Sequence, residues 1–330
     1  MNLRFRTLLF VFVLAGICLS GCGHTIDKKS GTAMADTSDY EQIYEDAAAD
    51  TSAPDVDSDL LPSVTGSRSH RPAEGTAARK FYDRLVYIMG NLRHTKYVHY
   101  NEKQLDEDNG IYEYDCSGFV GEFILKQVLP KHYSDLADNA KKFHDEKHPR
   151  AWGFYDYFNK ILAAKDENSN GYWHVFKSIE KIQPGDIIVV KYDEKWQKSM
   201  IQNCGHSSTG HVMTAWSYPV KSGDEYWIYV IDSSGSGHAN DTRRTTFDNV
   251  TAKNGIGKGK MWYGINHEDK RPVYYRWSSA GGCQYILRDM STNCKGKDED
   301  LCCVKEKGKT CNYPSAYFER LQGIIMARPL

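Results

Sequence analysis

The sequence predicts an α+β domain in which N-terminal helices pack on an antiparallel β-sheet. Two observations predict it. Past residue 77, apolar residues first recur at helical spacing, then at the alternating or continuous spacing of strands. Loops rich in Gly, Ser, Asn and Asp separate the strand-like runs, and no internal repeat is present. The chain has 330 residues, 40% of them hydrophobic, with 22 tyrosines, which is ample for a packed core. A net charge of −1 gives no sign of a nucleic-acid partner.

The N-terminus stands apart from that fold. Arg4 and Arg6 precede an apolar run from Leu8 to Leu19, too short to span a bilayer and of the length of a signal-peptide core. The run ends in Leu19-Ser20-Gly21-Cys22, which resembles the lipobox of bacterial lipoproteins. That resemblance implies a signal peptide over 1–21, acylation of Cys22 and a membrane partner reached through the lipid. Gly23, where an inner-membrane lipoprotein carries Asp, implies the outer membrane, facing the periplasm. The plainer reading is a secretory signal with an incidental cysteine. From Ser30 to Ser67 there are nine acids and no Lys or Arg. Residues 22–75 thus read as a lipidated cysteine followed by a disordered acidic tether, with an r.m.s. span of roughly 40 Å.

The folded domain is expected over 76–330. Phe81, Leu85, Ile88 and Met89 share one face of a helix over 77–92. A second helix runs from Asp115 to about Leu129 and stops at Pro130. The segment 131–178 reads as partly helical, and its place over the rest is open. Strands follow at Asp186–Tyr192, His211–Ser217, Tyr226–Asp232, Met261–Asn266, Val273–Trp277 and Gly323–Ala327. The Gly-rich run Gly255–Gly259 lacks phosphate-loop spacing and reads as a turn.

Chemistry concentrates at Tyr114-Asp115-Cys116-Ser117-Gly118-Phe119-Val120. A cysteine in the first turn of a helix meets the positive end of the dipole and unpaired N–H groups, a setting that favours the reactive thiolate and can hold an oxyanion. Such a nucleophile needs a histidine and a group to orient it. His211 opens one strand and Asp232 closes the next. His206, in a polar loop, rivals His211. Asp232 has the alternative of capping a turn with Ser233 and Ser234. His238, in a Gly/Ser loop, is expected to face solvent.

Taken together, YDCSGFV, then QPGDIIVV (183–190), GHVMTAW (210–216) and YVIDSS (229–234) resemble the NlpC family of cell-wall cysteine peptidases, in that family's order. The resemblance covers roughly 77–330. It implies a papain-like core and hydrolysis of peptide or amide bonds, typically in peptidoglycan stem peptides, with no metal and no cofactor. By this resemblance Cys116 is the nucleophile, His211 the base and acid, and Asp232 the orienting residue. Asp115 and Ser117 flank the nucleophile. Tyr97, with Tyr100 as second choice, matches the tyrosine near the oxyanion. The chain departs from the pattern in its long charged segment Asn101–Glu113, and in an aspartate where the third residue is often histidine. The order Cys, His, Asp also resembles transglutaminase-like acyl transferases. A third reading is a non-catalytic cell-wall-binding lipoprotein.

Of nine cysteines, six remain after Cys18, Cys22 and Cys116: Cys204, Cys283, Cys294, Cys302, Cys303 and Cys311. In an exported protein they predict three disulfides rather than a zinc site, with a Cys-rich insertion over 283–311 and pairings left open. A bridge from that insertion to Cys204 would staple the loop before His211.

Overall fold

A computed structural model describes residues 71–194, 197, 208–244, 254–277, 285–286 and 321–330. Cys22 with the signal segment, most of the tether, Cys204, His206 and the five cysteines from Cys283 to Cys311 lie outside the described residues.

The fold is α+β, built on one large antiparallel sheet. Helix α1 (Ala77–Asn91) starts at Thr76, whose side chain accepts from the Arg79 N–H. Pro72 is already buried, so the folded unit begins a few residues inside the segment read as tether. Strands β1 (His94–Lys96), β2 (Gln104–Asp106) and β3 (Ile111–Glu113) make a small sheet in the order β1-β3-β2. Helix α2 begins as Cys116–Gly118, continues as seven π-helical residues (Phe119–Leu125) and closes with Lys126–Val128. Pro130 ends it and opens α3 (Pro130–Ala140), where a missing N–H costs nothing. After α4 (Ala151–Leu162) the chain turns to strands.

These are β4 (Glu167–Ser169), β5 (Trp173–Phe176), β6 (Ile187–Tyr192), β7 (Gly210–Ala215), β8 (Val220–Ser222), β9 (Glu225–Ser234), β10 (Gly255–Ile265), β11 (Pro272–Arg276), β12 (Tyr285–Ile286) and β13 (Leu321–Pro329). They run in the order β12-β11-β10-β9-β7-β6-β13-β5-β4, with β8 also on β9. The C-terminal strand therefore lies inside the sheet, between β6 and β5. Residues 131–178 form two helices and two strands.

One expectation is overturned here. Gly255–Gly259 is not a turn but the first half of β10, paired with β9 from Gly255↔Ser234 to Gly259↔Val230. Its glycines recur with period two, so one face of the strand is bare.

One sheet face carries Val175, Val189, Val212, Ile231 and Ile325 against Phe81 and Leu85 of α1, Phe119 and Val120 of α2, and Phe154 and Phe158 of α4. On the other face Ile188, Val190, Met213, Val230, Met261 and Met326 meet Tyr263, Tyr274 and Tyr275. Strands β11 and β13, far apart in the order, still touch. The sheet thus curls over this second core.

Candidate active site

Asp115 caps α2. Its backbone is extended, and its carboxylate accepts from the Gly118 N–H at 2.7 Å and from the Ser117 hydroxyl at 2.9 Å. Cys116 is the first helical residue and is buried. Gly118 has no room for a side chain, since a Cβ there would lie 2.3 Å from the Tyr114 ring. The turn is tied to the sheet, because the Ser233 hydroxyl donates to the Tyr114 carbonyl at 2.6 Å. That bond brings the end of β9 against the start of α2.

His211 is buried at the start of β7. Its Nε2 lies 2.5 Å from Asp232 Oδ2 on β9. Cys116 is close enough to act on the same ring. The three residues singled out in the sequence thus meet. Burial opposes a charge on His211. The negative charge of Cys116, then the bonds to Asp232 and Cys116, outweigh it and raise the ring to about 10. Asp232 is completely buried and is held well below the usual carboxylate range. Burial alone would raise it, but Arg243, His238 and His211 prevail.

Tyr97 is half-buried beside the nucleophile. Its N–H donates to Asn254 Oδ1 at 3.2 Å. Burial, then the charges at Cys116 and Asp115, push its phenol far up, so it stays protonated. Tyr100, the second choice, instead stacks on His148 with centroids 4.7 Å apart. His99 reaches Asp115 from the surface at 4.0 Å.

The reading of His238 needs correction. It does not face solvent. It is buried, and its Nε2 lies 2.9 and 3.0 Å from the two oxygens of Asp232. Arg243, which the sequence did not mark, joins it. Its Nη2 bonds Asp232 Oδ1, and its Nη1 bonds Asp241 at 2.8 Å. Trp277 stacks face to face on His238 at 4.5 Å and edge-on to His211 at 5.2 Å. The alternate glycines of β10 are the trace of this cluster in the sequence, legible once β9 and β10 are paired. Glycines at 255, 257 and 259 leave one strand face bare, and Gly257 pairs with Asp232, so the bare face is the one Asp232 shares. A Cβ at Gly257 would fall 2.3 Å from Arg243, and one at Gly259 2.6 Å from His238.

Among the described residues, no group of three or more His, Cys, Asp or Glu side chains is placed to hold a metal. No family model, curated protein or solved structure matches this chain. Fold and site therefore define it on their own terms, as an α+β protein with a buried Cys–His–Asp line running from a helix start into a curled sheet.

Proposed function

We propose that this protein is a cysteine hydrolase of papain-like architecture that cleaves peptide or amide bonds. The observation that carries this reading is Cys116 at a helix N-terminus against His211, whose far nitrogen is held by buried Asp232. The Cys116 thiolate adds to the carbonyl carbon. The C–N bond breaks as the His211 imidazolium gives its proton to the leaving nitrogen, and a thioester remains on Cys116. Neutral His211 then takes a proton from water as the hydroxide adds to the thioester. Collapse releases the acid and restores the thiolate and imidazolium. Asp232 keeps the ring oriented and stabilises its charge. The oxyanion is received by the backbone N–H of Cys116 and the Tyr97 hydroxyl. Asp115 and Ser117 hold the turn.

The substrate class rests on the resemblance to the NlpC family: peptidoglycan stem peptides, reached by a domain anchored through Cys22 to the outer membrane and working in the periplasm. The aspartate at the third position favours a second reading, acyl transfer to an amine as in transglutaminase-like proteins.

The test is a digest of purified peptidoglycan with the full chain, beside Cys116→Ala, read by mass spectrometry with and without an added primary amine. New free stem-peptide ends from the wild type alone support hydrolysis, and a new amide to the amine supports transfer. No product with a fast-alkylating Cys116 sinks the substrate class. No product with an inert thiol sinks the enzyme reading and leaves the cell-wall-binding lipoprotein.

A further inference from the structure

Asp232 is held from more sides than orienting one imidazole requires. His211 takes Oδ2 and Arg243 takes Oδ1, while His238 Nε2 lies within 3.0 Å of both oxygens. A donor that bridges both oxygens fixes the rotation of the carboxylate about its own bond, which a single contact to one oxygen leaves free.

The clamp is itself built. The His238 and Arg243 backbone N–H groups both donate to the Asp241 carboxylate, at 2.5 and 2.7 Å, so one aspartate sets both residues. Arg243 Nη2 also donates to the Asp232 carbonyl at 3.2 Å and the Gly257 carbonyl at 3.1 Å. The bare face of β10 makes room for both side chains, and Trp277 covers the His238 ring.

As a purely structural plug this arrangement is poor. His238 Nδ1 is buried with no hydrogen-bond partner among the described residues. An unpaired buried polar atom costs stability that an apolar side chain of similar volume would not.

We infer that His238 is a positioning residue: by bridging the two oxygens of Asp232 it sets the direction from which that carboxylate meets His211. The inference rests on the Cys116–His211 reading proposed above. His238 acts as a neutral donor through Nε2–H. A neutral donor steadies the ionised carboxylate without adding a second full positive charge beside Arg243. Without it the carboxylate is free to turn away from His211, and an imidazolium facing a misdirected carboxylate is less stable, as is the thiolate paired with it.

The experiment is the pH profile of Cys116 alkylation by iodoacetamide in the full chain, read by mass spectrometry. It compares the wild type with His238→Leu, His238→Gln and His211→Ala. In His238→Leu the acid limb should move to higher pH, and the rate near pH 6 should fall by roughly tenfold or more, the scale of a lost hydrogen bond to a charged group. His238→Gln keeps an N–H donor at about the same reach and should return close to the wild-type profile. A role in packing alone would lower the melting temperature of both variants and leave the profile of the folded protein unchanged. A His238→Leu profile that superimposes on the wild type overturns the inference. A wild-type profile that ignores His211→Ala instead sinks the Cys116–His211 reading beneath it. Should His238→Leu fail to fold, ¹⁵N-histidine NMR of the wild type decides. A proton on His238 Nε2 supports the clamp, and a proton on Nδ1 with Nε2 bare overturns it.

Discussion

The two ends of His211 sit in different surroundings. On the Asp232 side everything is sealed. Asp232, His238 and Arg243 are buried, their contacts are short, and Asp241 and Trp277 back them. On the Cys116 side the neighbours open outward. Tyr97 is half-buried, and the His99 side chain, which reaches Asp115, is 72% exposed. The difference separates two tasks. A dry, cross-braced carboxylate keeps one imidazole nitrogen in place, because electrostatic contacts are strong where water is excluded. The sulfur side must admit a substrate, so its groups stand at the rim.

Breaking the pair at its reacting end should have the largest effect. Cys116→Ala should cut hydrolysis on the order of 10⁶-fold, while the far-UV spectrum stays unchanged. On the sealed side, Asp232→Asn should lower the rate on the order of 10⁴-fold, since the ring is left to take the wrong tautomer. The same change leaves buried Arg243 with Asp241 as its remaining carboxylate and should cost roughly 3–5 kcal/mol in chemical denaturation. A rate loss with no loss of stability would show that the sealed side is less braced than its contacts indicate.

Smaller effects sharpen the contrast. Tyr97→Phe should lower kcat on the order of 10²-fold with little change in KM, if its hydroxyl meets the oxyanion. An equal rise in KM would place it in ground-state binding instead. The pH dependence follows from the raised His211 ring. The imidazolium must donate to the leaving nitrogen, so activity should persist until pH rises through about 10, whereas an ordinary histidine has lost its proton above about 6.5. In Cys116→Ala the ring should titrate lower by NMR, because the charge at Cys116 is the foremost influence raising it. The smallest effect belongs to His99→Gln. Its contact with Asp115 is long and solvent-exposed, so the rate should stay within about twofold and the stability to denaturant within about 0.5 kcal/mol of the wild type.

Much of this was legible in the chain. The apolar residues of α1 and α2 predict their extents to within about two residues, because α1 buries one stripe and α2 is buried nearly all round as far as Leu125 and is stopped by Pro130. The β-rich runs predict β6, β7, β9, β11 and β13, since these strands are apolar on both faces and stand out from their loops. Cys116, His211 and Asp232 were each marked by position: a helix start, a strand start and a strand end.

His238 and Arg243 were missed, as was the first half of β10, and all for one reason. Local rules read glycine as a turn and a histidine among Gly and Ser as solvated. Here the glycines are strand residues without side chains, on which the β9–β10 connection folds back, and this becomes visible only when β9 and β10 are paired.

The sequence by itself therefore determined the helices α1 and α2 and the order of β6, β7, β9, β11 and β13, the residue at the head of α2, and the chemical types able to act beside it. Those depend on periodicity and capping over a few neighbouring residues. Only the tertiary structure decided that β13 enters the middle of the sheet, that the sheet curls over a second core, and that Asp232 is shared by two histidines and an arginine. The first two depend on contacts between segments far apart in the chain, and the third on the pairing of β9 with β10 and on how their connection folds back, which no local pattern encodes.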